Sequence, residues 1–204
     1  MRRSSWLLLA FAFVLCAAPF VQAQSPTEPA KLSLGADVAL KVDYFHFFDS
    51  AFGDLEADNG ILVSLEFYKE VFCPHFFLGV EAGWGTAWGT SHDGDDSRDT
   101  DVTYVPIEFN AKYVIPLAPN FALGLGAGVS MNYLNVDADD PNFGEVFSQD
   151  DWVVGGQFFA ELDYKCHNWF FGAHVKYKIT DEPDFAPGVS ADNIAVGLNL
   201  GFLF

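Results

Sequence analysis

Five histidines, His46, His75, His92, His167 and His174, are the side chains best suited to move protons near neutral pH. Acyl-transfer or hydrolytic chemistry would need one of them within hydrogen-bond reach of a nucleophile and oriented by an acid. Ser91 precedes His92 directly, but neighbours on an extended chain point to opposite sides. The densest acidic run covers residues 93–101, where Asp93, Asp95, Asp96 and Asp99 are the candidate ligands for a hard cation such as calcium. The run lacks a well-placed distal Glu, so its spacing fits a solvated loop better than a calcium loop. The same holds for Asp137, Asp139 and Asp140. The chain has no CxxC, no His pair at helical spacing and no phosphate-binding loop. Gly124-Leu125-Gly126-Ala127-Gly128 is Gly-rich, but no helix follows it, as a dinucleotide fingerprint requires. No cofactor is expected.

The elements that must position these residues are strands. Residues 121–133 put Phe121, Leu123, Leu125, Val129 and Met131 on one face, and Gly124, Gly126, Gly128, Ser130 and Asn132 on the other. This period of two recurs in residues 34–44, 61–68, 76–84, 105–113, 154–164, 171–179 and 195–204. Each segment is about 9–11 residues long, enough for a tilted strand to cross a bilayer. The chain has 204 residues, half of them apolar, with 22 Phe and 18 Gly. That length suggests one domain. After the first two dozen residues no apolar run reaches the 18 that a spanning helix needs.

Residues 1–23 read as a cleaved signal peptide. Arg2 and Arg3 lead an apolar core over 6–18, and Val21-Gln22-Ala23 offers a small-residue cleavage site. Residues 24–32 read as a linker, and 33–204 as the folded domain. The formal charge is −18, and cleavage would remove two of the ten basic residues. Such a charge argues against nucleic acid as a partner and against docking on anionic head groups through a basic patch. Cys73 and Cys166 fall in different short turns and are expected to be free thiols.

Alternation alone would also suit a soluble sandwich or a lipocalin-like barrel. Three features point instead to a wall that is apolar outside. Short joints near 71–74, 116–120 and 165–168 alternate with long acidic ones at 49–59, 89–100, 135–150 and 180–192. Tyr44, Trp84, Trp88, Tyr133 and Trp152 lie at the long-joint ends of the segments. Phe76, Tyr113, Phe121, Tyr164, Trp169 and Phe204 lie at the short-joint ends, as two interfacial belts would. The last strand ends on Phe204. The fold expected is all-β, an eight-stranded antiparallel up-and-down transmembrane β-barrel.

In such a barrel the polar face points inward, where there is room for side chains or one small ligand. Asp37, Asp43, Glu66, Glu81, Glu108, Glu161 and Asp163 would meet Lys41, Lys112, Lys176 and Lys178, with His174, Asn110, Gln157 and Asn199 among them. Folding the first two segments about their joint puts Lys41 opposite Glu66. Because an unpaired charge inside would be expensive, Lys41, Glu66, Glu81, Glu108, Lys112, Glu161, His174 and Lys176 are expected to form an ion-pair network that plugs the interior. The alternative is that inward Gly79, Gly83, Gly124, Gly126 and Gly128 leave a water-filled or ligand-sized cavity.

Over roughly residues 33–204 the chain resembles the small outer-membrane barrels of the OmpA, OmpX and OmpW type. In that group a terminal Phe on an alternating last strand is read by the barrel-assembly machinery. Leu198, Leu200, Phe202 and Phe204 match that pattern, with Phe202 and Phe204 as the assembly signal. The resemblance implies the outer membrane of a Gram-negative bacterium, with long loops extracellular and the C-terminus periplasmic. It implies lipid and lipopolysaccharide as surroundings, and divalent cations could bridge the acidic loops to them. Some small barrels are lipid A deacylases or palmitoyltransferases, but no histidine here sits two residues before a Ser on an outward face. A non-enzymatic envelope role is the first expectation, and a narrow barrel passing a small or apolar solute the second.

Overall fold

The computed structural model describes residues 35–54, 56–93, 96–140, 144–183, 186 and 188–204. The signal-peptide and linker readings over 1–32 lie outside the described residues. Eight strands run in chain order: β1 (Ala36–Phe47), β2 (Asn59–Glu70), β3 (Phe76–Asp93), β4 (Asp96–Ala118), β5 (Phe121–Asp140), β6 (Gly144–Cys166), β7 (Trp169–Thr180) and β8 (Asn193–Leu203). A short helix, α1 (Ser50–Asp54), lies between β1 and β2. Each strand pairs antiparallel with the next, and β8 pairs with β1 to close the barrel. Ala36 and Phe204 finish the seam by exchanging two main-chain hydrogen bonds of 2.9 Å.

The pleat sorts the side chains as the alternation requires. Leu198 on the outer wall is 67% exposed, whereas inward Glu66 and Glu108 are fully buried. Across the apolar band the charged residues point inside, so the sorting there inverts that of a water-soluble sheet.

Three sequence expectations need correction. The joints 89–100 and 135–150 are not long loops, because β3 continues to Asp93, β4 starts at Asp96, β5 reaches Asp140 and β6 starts at Gly144. Residues such as Thr100, Val102, Thr103 and Val136 favour a pleated backbone, so pairing persists after the outward face turns acidic. Acidity marks the end of the apolar band there, not the end of the strand. Secondly, the joint 49–59 holds α1. Asp49 Oδ1 accepts from the Ala51 amide at 3.0 Å and starts the helix. Thirdly, Lys41 stands opposite Ser64, while Glu66 stands opposite Ala39. The register is shifted by two residues from the folding estimate, so inward and outward faces are preserved.

The end of the barrel carrying the long connections is filled by apolar groups. Phe45, Phe47, Leu62, Val102, Tyr104, Leu134 and Val153 point inward and form one buried cluster with Phe52 of α1 and Ala191. Phe52 stacks on Phe47 with ring centroids 4.3 Å apart, and Phe47 meets Phe45 edge-on at 5.1 Å. Main-chain bonds hold this cap, from Ala57 to Phe52, Phe47 to Asp58 and Phe48 to Asp192. Asp49 Oδ2 accepts from the Ser190 amide at 2.9 Å, which ties the first long connection to the last.

Truncating Phe52 to Ala should destabilise the folded barrel by about 3–5 kcal/mol, the usual cost of emptying a buried Phe site. Phe48→Ala, at a half-exposed position, should cost clearly less. Equilibrium urea unfolding in lipid vesicles measures both, and equal losses would contradict a packed cap.

Candidate functional site

Below the apolar cap the lumen is a lattice of charges that links both neighbouring strands and strands across the barrel. Lys41 of β1 reaches Glu66 Oε2 at 3.0 Å and Glu81 Oε2 at 3.3 Å. Lys176 of β7 reaches Glu81 Oε1 and Glu108 Oε2, both at 2.8 Å. Lys178 reaches Glu108 Oε1 at 2.8 Å and the Tyr104 hydroxyl at 2.6 Å. Tyr104 in turn donates to Asn132 Oδ1 at 3.0 Å. The path Glu66–Lys41–Glu81–Lys176–Glu108–Lys178 therefore alternates in sign and crosses from β3 to β7, on opposite sides of the barrel.

One further ion pair and one histidine–carboxylate contact stand beside it. Lys112 Nζ lies 2.6 Å from Glu161 Oε1 and 3.9 Å over the Tyr68 ring. His174 Nε2 contacts Asp43 Oδ1 directly. Neutral groups fill the gaps: Ser64 donates to Glu81 at 2.8 Å, and Gln157 donates to Asn110 Oδ1 at 2.7 Å. The lysine pairs and the Ser64–Glu81 bond are charge-assisted, and in a buried setting each bond is stronger than in bulk solvent and each unpaired group costs more.

All eight residues assigned to an interior network from the sequence face the lumen; seven belong to ion pairs, and His174 contacts Asp43. Lys178, Asp43 and Tyr104 join them without having been placed in that network. Lys178 and Asp43 share the inward parity of Lys176 and Lys41, so the alternation carried their signal. Tyr104 has the parity of Glu108, but a tyrosine among outward aromatics does not stand out by type.

The space that the inward glycines leave is taken up by side chains of the neighbouring strands. Tyr68 lies across Gly79, Phe159 across Gly126 and Phe45 across Gly60, each directly opposite in the ladder. Glu161 leans over Gly124, and Asn110 with Gln157 over Gly128. A Cβ at Gly124 would stand 2.6 Å from Glu161 Cγ. Glycine is thus the complement of a long or aromatic partner on the next strand.

The remaining sequence candidates are spread out. Backbone pairing sets Asp93 opposite Asp96 and Thr90 opposite Asp99 in the β3–β4 hairpin, and Asp95 lies outside the described residues. Among the described residues no three His, Cys, Asp or Glu side chains converge as a metal site. His46 sits at the rim, 3.4 Å from Asp58 and 3.1 Å from Asn59. His167 lies 3.7 Å from the Cys166 sulfur in the β6–β7 turn. Cys73 and Cys166 are free and exposed. Phe202 packs edge-on against Trp169 at 5.2 Å, and Phe204 lies 6.3 Å from Phe67.

Comparison with known proteins agrees with this architecture. Neisserial surface protein A has a similar fold, with a TM-score of 0.57 at 14% identity, over 83% of this chain and 97% of that one. Ail, the attachment invasion locus protein of Yersinia pestis, gives a TM-score of 0.51 at 13% identity, over 83% and 99%. Ail is also known in complex with the heparin analogue sucrose octasulfate. A major outer membrane protein of Thermus thermophilus gives 0.50 at 16% identity, over 83% and 99%. At these identities the likeness is one of fold. No protein of curated function matches the chain. The model of the outer membrane protein beta-barrel domain matches residues 7–202. The chain therefore belongs to the outer membrane protein β-barrel domain family, and it is a protein of the Gram-negative outer membrane.

Proposed function

We propose that this protein is a closed, non-conducting and non-enzymatic barrel that braces the envelope and presents acidic hairpins outside the cell. The observation that carries this reading is the alternating path of Lys41, Lys176 and Lys178 with Glu66, Glu81 and Glu108 across the lumen. With the aromatic cap above it, the path leaves solutes no continuous polar route. Passage of an apolar solute would require Phe47, Phe52 and Tyr104 to leave the mouth together, and for that reason we rank it second.

Planar-bilayer recording tests the closed lumen. The reading expects no steady current at neutral pH, and an ohmic conductance would overturn it. Lys176→Met strands Glu81 and Glu108 without one of their cations, and loss of one partner from a buried pair costs about 3–5 kcal/mol. Urea unfolding should register that loss, and Glu81→Gln added to Lys176→Met should recover part of it.

The topology we infer places the short turns in the periplasm and the long hairpins outside. The two native cysteines test it, since both occupy short turns. A membrane-impermeant maleimide should label Cys73 and Cys166 only after the cells are permeabilised. Labelling on intact cells would reverse the orientation.

We read the surface role as one of charge. Asp101 of β4 stands directly opposite Asp137 of β5, and like charges so placed repel. Divalent cations bridging such pairs to lipopolysaccharide phosphates would relieve the repulsion. Calorimetry with calcium tests this, and no binding below millimolar would remove it. The same acidity disfavours a sulfated polyanion, so the glycan-like partner of Ail is not carried over. For the absence of enzyme activity, the acyl count of lipid A should be unchanged between cells with and without the protein.

A further inference from the structure

The lumen carries a charge remainder at one end. Seven carboxylates are buried there against four lysines and His174. Four of the seven have a lysine at salt-bridge distance, and Asp43 has His174. Asp37 and Asp163 have none among the described residues, although they are only 5% and 7% exposed. Both belong to the short-turn end: Asp37 is the second residue of β1, and Asp163 lies three residues before the end of β6. They feel each other's field together with that of Glu66 and Glu161. Lys112 is the nearby cation, and it is engaged by Glu161 and the Tyr68 ring.

A second observation comes from unpartnered oxygens in the lumen. Asp37 Oδ1, Glu66 Oε1, Tyr68 OH and Asn199 Oδ1 are buried with no hydrogen-bond partner. Tyr68 stands opposite Asp37 in the β1–β2 ladder. The Asn199 amide donates to Asp163 Oδ1 at 2.9 Å, and its carbonyl leans with that carboxylate over the bare backbone of Gly172. Unmet oxygen acceptors around unpaired carboxylates are what a hard cation, with its water, satisfies. Even with His174 counted as a cation, the lumen is two positive charges short of neutral, which is the charge of one divalent ion. Among the described residues no three carboxylates converge closely enough to chelate a bare ion. That excludes a calcium-type cage and suits a magnesium ion, which keeps several waters and needs one or two carboxylates.

We propose that the short-turn end of the lumen binds one hydrated divalent cation of the magnesium class between Asp37 and Asp163, with Asn199 and Tyr68 accepting hydrogen bonds from its waters. This goes beyond the closed-lumen reading, and the conductance recording decides that reading separately.

The test is thermal unfolding of the full mature protein in detergent after EDTA treatment, with magnesium or sodium chloride added at matched ionic strength. Magnesium should raise Tm by several degrees. Asp37→Asn with Asp163→Asn should abolish the shift and leave the protein more stable in EDTA than the wild type. Asp101→Asn with Asp137→Asn, in the acidic hairpins, should preserve the shift. Absence of a shift in the wild type, or a shift that survives Asp37→Asn with Asp163→Asn, would overturn the proposal. Should that double variant not fold, manganese serves as a paramagnetic probe of the wild type. Broadening of the Asn199 side-chain amide and the Trp169 indole supports the site, whereas broadening confined to Trp88 and Trp152 overturns it.

Discussion

A lysine ammonium taken out of water and given no partner is not tolerated in a space as narrow as an eight-stranded barrel. The interior of this protein follows from that constraint. A wall whose outer face must be apolar sends its polar residues inward, and inward they cannot be hydrated as they would be on a surface. The solution is reciprocal sharing: Glu81 serves Lys41 and Lys176, and Glu108 serves Lys176 and Lys178. These two carboxylates use both oxygens, and Lys41 and Lys176 each have two carboxylate partners. The glycines follow from the same requirement, since long side chains can cross a narrow lumen only where the facing strand gives up its own.

Much of this was legible in the sequence, because a β-wall writes its two environments into alternate letters. Phe121, Leu123 and Leu125 against Ala122, Gly124 and Gly126 is enough to assign outside and inside, and the ends of the chain's apolar faces locate the aromatic belts. Closure, strand number and the inward location of every lysine in the lattice follow from the same pattern. Pairing partners did not, because register is set by turn geometry and by packing. An estimate from joint lengths is good only to a residue or two, and Lys41 finds Glu66 by reaching along the strand rather than straight across it. A lysine is long enough to forgive that difference, whereas a shorter side chain would not be.

The apolar cap was not legible for a different reason. Phe45 and Phe47 continue the inward parity of Lys41 and Asp43, but an aromatic near a strand end reads most naturally as an interfacial anchor. Which face it joins depends on α1 folding back to offer Phe52 as a partner, and a five-residue helix in an acidic segment leaves almost no periodic signal. The extended hairpins failed similarly. Sequence polarity reports the medium around a strand, and β3 to β6 outlast the apolar medium they cross.

The tie between Asp49 and Ser190 joins residues 141 positions apart. Chain closure over so long a span is entropically costly until most of the wall exists, so this latch belongs to the final events of assembly rather than to its nucleus. Interactions made after the rate-limiting step add little to the speed of folding and instead lengthen the lifetime of the finished state. A latch of this kind adds to the lifetime of the closed barrel rather than to the speed at which it forms.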